Sequence, residues 1–215
     1  MRIPLWVEAS RLKVLVFGGG SVGARRAKFF SAAGAEVRVL AKKVVPELQV
    51  LGVEIKLVDL YQYDPSDDIR WADVVVVAVD DPVLAEQLFR KAESMGKLVN
   101  DATDASRTHV VVPYERVVGG LRIAVTSEGA AGTPARLSLD VIEGCIKNSW
   151  IPLFFQIYKQ LKAEAKEAIK ETKKRLAYYQ ALVEDEEFLE LVKAGRAQEA
   201  LARGRAIMSK ILNLA

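Results

Sequence analysis

Directly after the apolar run Lys13 to Phe17 the chain reads Gly-Gly-Gly-Ser-Val-Gly, which sets Gly18, Gly20 and Gly23 at the spacing G-x-G-x-x-G. The run itself, Lys-Val-Leu-Val-Phe, is of the β-branched apolar kind that a strand buried on both faces requires. From Ser21 the apolar residues Val22, Ala24, Ala27, Phe29 and Phe30 recur at helical spacing until Gly34. A strand, a glycine turn and a helix in that order make a phosphate cradle. Gly18 permits the tight turn, Gly20 lets the main chain approach a diphosphate, and Gly23 lets the helix pack close on the strand. The amides of Ser21 and Val22 open the helix, where unpaired N–H groups and the helix dipole favour an anion. The ligand-free alternative is a glycine turn that only packs a helix tightly, and the strand-to-helix context argues against it.

The alternation continues downstream. Glu36 to Leu40, Glu54 to Val58, Asp73 to Val79 and a segment opening at Lys97 read as strands, and Val83 to Met95 reads as an amphipathic helix ending at Gly96. Strands alternating with helices predict an α/β fold, a Rossmann-type doubly wound parallel sheet, over residues 1–112. Residues 113–149 hold one strand, Leu121 to Thr126, a loop of small residues and a helix from Pro134, too little for a core of their own. They are expected to form a small α+β dimerisation segment that pairs with its copy in a homodimer. Residues 150–215 read as a C-terminal helical domain, with one long helix over Leu153 to Ala181 and two shorter ones broken around Gly195. Trp150, Phe154, Phe155 and Tyr158 recur at helical spacing and are read as core.

Composition excludes several classes of function. The 215 residues are 51% hydrophobic and 27% charged, with a formal net charge of only +3, so no nucleic-acid footprint follows from the total. No apolar run approaches the length that spans a bilayer, and no signal peptide is evident at the N-terminus, so a cytoplasmic protein is expected. The single cysteine, Cys145, rules out an intrachain disulfide and is read as a small buried residue. One histidine, His109, and one cysteine give no metal-ligand spacing, and no metal site is predicted.

One expected element is missing from the cradle. About 20 residues after the first glycine an Asp or Glu usually binds the ribose of NAD, yet Leu40, Ala41, Lys42 and Lys43 occupy that stretch. The two lysines suit a cofactor with an extra phosphate, or simply face solvent. These residues leave NAD and NADP both open.

Taken in order, several motifs resemble the precorrin-2 dehydrogenases, a family that includes the N-terminal module of siroheme synthase. The resemblance runs through Ile3-Pro4-Leu5-Trp6-Val7, the turn Gly18 to Arg26, Val77-Ala78-Val79-Asp80-Asp81, Val99-Asn100, Val112-Pro113, and Ile123 to Ser127 with Gly132-Thr133-Pro134-Ala135-Arg136. It implies a homodimer that uses NAD to oxidise precorrin-2 to sirohydrochlorin, with ferrous iron insertion as a second activity of some members. The family's cofactor contacts map onto Ser21 and Val22 and onto Lys42 and Lys43. Its catalytic aspartate lies shortly after the Val-Asn pair, where a gapless alignment places Thr103. Asp104, one residue further on, is assigned the role, with Asp101 the second choice. The ordinary alternative for either is a turn former before Ala105. A carboxylate there serves as a base if burial raises its pKa. Arg107, Arg116, Arg122 and Arg136 are candidates for the carboxylates of a tetrapyrrole substrate. A module that binds NAD(H) and senses redox state without catalysis is the alternative from another class.

Overall fold

The computed structural model describes residues 2–213. The glycine turn joins β1 (Lys13–Phe17) to α1 (Ser21–Ala32), and the chain continues through β2 (Glu36–Ala41), α2 (Pro46–Gln49), β3 (Glu54–Leu57), α3 (Ser66–Trp71), β4 (Val74–Val77), α4 (Pro82–Ser94) and β5 (Leu98–Asp101). The five strands pair in parallel in the order β3-β2-β1-β4-β5. The order reverses between β1 and β4, which is the switch point where such sheets leave a crevice.

The strand sequence explains the two-sided burial. Val14 and Val16 of β1 point to one face with Ala24, Ala27 and Phe30 of α1. Leu15 and Phe17 point to the other, against Leu84, Leu88 and Phe89 of α4. All four strand residues have no solvent exposure, and each such side chain contributes about 1.5–3 kcal/mol of hydrophobic stabilisation. A one-residue slip would exchange the two faces, so the register is fixed by both layers at once.

At the β2–β3 edge a charge cluster replaces apolar packing. Asp68 of α3 is buried and accepts from Arg38 Nη1 at 2.6 Å, Lys56 Nζ at 2.7 Å and Tyr63 Oη at 2.8 Å. Arg38 also reaches Glu54, its register partner on β3, at 2.8 Å. Burial alone would raise the Asp68 pKa, but the three donors outweigh it and hold the carboxyl below its ordinary value.

The chain divides into two compact units, Met1–Val112 with Glu128–Ala130, and Pro113–Ser127 with Ala131–Ala215. In the second, β6 (Tyr114–Val118) and β7 (Leu121–Val125) form an antiparallel hairpin, followed by α5 (Gly132–Lys147), α6 (Ile151–Ala168), α7 (Thr172–Glu184), α8 (Glu186–Lys193) and α9 (Ala197–Asn213). Its core is built from Ile157, Leu161, Tyr178, Leu182, Phe188 and Ile207, with Trp150, Phe154 and Tyr158 packed against it.

Three expectations fail here. Residues 113–149 hold two strands, β6 and β7, where one was expected. The predicted single helix over Leu153 to Ala181 is broken between α6 and α7, although no glycine or proline marks the spot. Ile169 drops into the core and leaves helical geometry, and Arg175 satisfies the freed carbonyls of Ile169 and Lys170, both at 2.8 Å. Cys145, expected to be buried, is exposed on α5.

Asp68→Asn keeps the shape and removes the charge, leaving two cations facing a neutral amide. We expect a loss of about 1–3 kcal/mol at neutral pH, read by urea unfolding. A carboxyl whose folded pKa lies below its unfolded one stabilises the fold above about pH 4 and loses that contribution as the pH falls. The gap between the two proteins should therefore close on acidification.

Candidate functional site

Because all five strands run in parallel, the segments that follow them meet at one edge. A cavity of about 430 Å³ opens there, lined by Gly18 to Gly20 after β1, Lys42 to Val45 after β2, Asp59 to Tyr61 after β3 and Ala78 to Asp81 after β4. The glycine turn is its floor. Gly18 adopts φ +109°, and a Cβ there would lie 2.1 Å from the Ala78 carbonyl oxygen. Its N–H donates to Leu40 O at 3.0 Å, and Gly19 O accepts from Val45 N at 2.9 Å, which stitches the turn to the loop after β2. A Cβ on Gly23 would lie 2.1 Å from Gly18 O, so helix and turn touch backbone to backbone.

Gly20 differs from its neighbours. A Cβ there would meet nothing within 4 Å. It is also the N-cap of α1 and supplies no side-chain acceptor to the first turn, which carries no acidic residue. Helix N-termini leave N–H groups without intrahelical partners, and here they begin beside open space. That combination fits a diphosphate, whose oxygens would take the amides and occupy the volume a side chain would fill.

Of the predicted cofactor residues, Gly18, Gly20, Lys42 and Lys43 line the cavity, Ser21 and Val22 open α1 directly after it, and Gly23 is packed beneath the turn. Sequence reasoning passed over Gly19, whose Cβ would fall 2.0 Å from Lys43 O. It also passed over Asp59 and Tyr61. Asp59 Oδ2 accepts from Lys42 Nζ at 2.9 Å. The Tyr61 hydroxyl donates to Asp81, whose other oxygen caps α4 through Val83 N at 2.8 Å and Leu84 N at 3.0 Å.

The two aspartates proposed for catalysis stand outside this lining. Asp101, at the end of β5, is buried. One oxygen accepts from Thr103 N at 2.8 Å, Thr103 Oγ1 at 2.6 Å and Asp104 N at 3.2 Å, and the other from Arg107 Nε at 2.6 Å. It therefore builds the loop. Asp104 is partly exposed and accepts from Ser106 N at 2.8 Å and Ser106 Oγ at 2.6 Å. The Ser106 hydroxyl and then its amide hold the carboxyl below its ordinary pKa, so the rise by burial expected for a base is not present. Arg107 is taken up by Asp101 and Glu86. Arg116 pairs with Asp140 and Glu143, Arg136 with Asp140, and Arg122 with Glu115. His109 accepts from Val99 N at 3.3 Å through Nδ1 and lies 3.4 Å from Glu93 through Nε2.

Residues 5–114, just over half of the chain, match a family model described as NAD(P)-binding. The chain is 31% identical over 179 residues, 83% of its length, to siroheme synthase of Mannheimia succiniciproducens. It is 34% identical over 146 residues, 68% of its length, to siroheme synthase of Neisseria meningitidis serogroup C. The solved structure of SirC, a precorrin-2 dehydrogenase, superposes with a TM-score of 0.69 at 18% identity, covering 99% of this chain and 100% of that one. The chain belongs to the NAD(P)-binding family that the matched model describes.

Within that family the match is partial in length, spanning 37% and 30% of the two siroheme synthases. The likeness to SirC is one of fold. It extends over the parallel sheet and the helical part alike.

The open space at Gly20 gives a separable test of the cradle. Gly20→Ala should melt within about 0.5 kcal/mol of the wild type, while its dissociation constant for a nicotinamide dinucleotide rises at least about tenfold. Gly18→Ala, at positive φ against a carbonyl, should instead cost roughly 1–3 kcal/mol of stability. Thermal melts and equilibrium titration distinguish the two outcomes.

Proposed function

We propose that this chain oxidises precorrin-2 to sirohydrochlorin with NAD as electron acceptor, in siroheme biosynthesis. The observation that carries the reading is the uncapped start of α1 behind Gly20, facing a cavity at the switch point of a parallel sheet. The curated relatives named siroheme synthase and the family's NAD(P)-binding description support it.

The Gly20 main chain with the Ser21 and Val22 amides would hold the diphosphate, and Lys42 and Lys43 lie after β2 on the same cavity. When bound, the nicotinamide supplies a two-electron acceptor for hydride. What remains for the chain is to place the substrate and take a proton. In this reading Asp104 is the base: Ser106 keeps it ionised and so ready to accept, and a tetrapyrrole lying over the loop would desolvate it and raise its pKa. Asp101, locked to Arg107, positions the loop that carries it.

The segment 113–149 would join two copies into a homodimer, since Val117, Leu137 and Val141 are exposed on β6 and α5. The enzyme would work in the cytoplasm, where a lone cysteine stays reduced. Ferrochelation of sirohydrochlorin is a second proposed activity, with iron as substrate.

Anaerobic precorrin-2 mixed with the protein and NAD should yield NADH and the sirohydrochlorin absorption together, and adding ferrous iron reads chelation in the same cuvette. Asp104→Ala should lower turnover by about 10²–10⁴-fold with NAD binding retained. A fully active variant sinks the assignment of Asp104. A protein that binds NAD and turns nothing over favours the sensing module, a reading that the position of both aspartates outside the cavity lining also favours.

A further inference from the structure

The carboxylate missing from the end of β2 has a substitute on the neighbouring strand. Dinucleotide sites of this architecture commonly place an acid after the second strand, where it accepts from the ribose and excludes a 2′-phosphate. Here β2 ends in Ala41 and is followed by Lys42 and Lys43, a pattern that by charge alone would welcome that phosphate. Asp59, two residues beyond β3, lines the same cavity and grips Lys42 Nζ at 2.9 Å. Its second oxygen accepts from Tyr61 N at 3.2 Å, which fixes the carboxylate's direction. The lysine side chain is 73% exposed and that of the aspartate 30%, so the carboxylate is the more enclosed member of the pair. Lys42 first, then the Tyr61 amide, hold the Asp59 carboxyl below its ordinary pKa, so it is charged at any neutral working pH.

We infer that Asp59 sets the choice of cofactor, selecting the dinucleotide without a 2′-phosphate. It does so by neutralising Lys42 and by placing a negative charge on the cavity wall where that phosphate would seek a cation. The inference rests on the nicotinamide-dinucleotide reading above. A 2′-phosphate carries close to two negative charges, as other phosphate monoesters do. To bind, it would have to take Lys42 away from Asp59 and then sit beside the uncompensated carboxylate. A ribose hydroxyl makes no such demand and can donate to the carboxylate instead.

The test compares NAD and NADP by equilibrium titration of the wild type, Asp59→Asn and the double variant Asp59→Asn with Lys42→Ala. Circular dichroism and melting show that each variant is folded. Asparagine keeps an oxygen that can accept from Lys42, so the loop after β3 retains its shape while its charge is lost. The wild type should prefer NAD. In Asp59→Asn the ratio of the two dissociation constants should move toward NADP by about tenfold or more, and removing Lys42 as well should abolish that gain. A wild type that prefers NADP, or a ratio unmoved in Asp59→Asn, overturns the role of Asp59. Saturable NAD binding together with an unmoved ratio overturns this inference alone, whereas no saturable binding of either dinucleotide by the wild type removes the cofactor reading and this one with it.

Discussion

Backbone crowds backbone around the first turn, and the rest of the site is arranged about that crowding. Gly18 stands against the Ala78 carbonyl, Gly19 against that of Lys43, and Gly23 against that of Gly18, each with no room for a single added carbon. The turn after β1 is thereby wedged between the loops that follow β2 and β4. Among the glycines of this turn, Gly20 alone faces open volume. Steric exclusion at three positions and vacancy at the fourth leave the main-chain N–H donors at the start of α1 beside open space, an arrangement that suits a ligand bearing acceptor oxygens.

The sheet makes this arrangement possible because its strands are buried on both faces and cannot shift. Val14 and Val16 answer to α1, Leu15 and Phe17 to α4, and a shift on one side is forbidden by the other. At the β2–β3 edge, Asp68 draws Arg38 and Lys56 to one buried point, while Arg38 spans to Glu54. That edge positions the ends of β2 and β3, from which Lys42 and Asp59 enter the cavity. Charge is used twice here, once for register and once for the wall of the site.

The loop after β5 shows how a motif aspartate can be consumed by structure. Asp101 spends both oxygens on Thr103, the Asp104 amide and Arg107, and Asp104 turns to Ser106. Spacing after the Val-Asn pair points to this loop, which holds the two aspartates. It carries no information on which of them stays open to a ligand, since their hydrogen-bond partners, two to six residues away, are chosen by the path of the loop.

What the sequence determined by itself was everything carried by local pattern. The glycine spacing, the apolar runs and the helical stripes specified a parallel sheet with a cradle after β1, because buried strands and tight turns tolerate few residue types. Tertiary structure alone decided the remainder. The interruption at Ile169 exists because a core pocket draws one side chain inward and Arg175 accepts the cost in carbonyls, with nothing in helix propensity to announce it. The strand β6 escaped notice because its exposed edge residues mix charge with valine and follow no strict alternation. Asp59 lies 17 residues from Lys42 in the chain and 2.9 Å from it in space. Only the parallel pairing of β2 with β3 brings those two ends to one wall, and a reading along the chain has no measure of that distance.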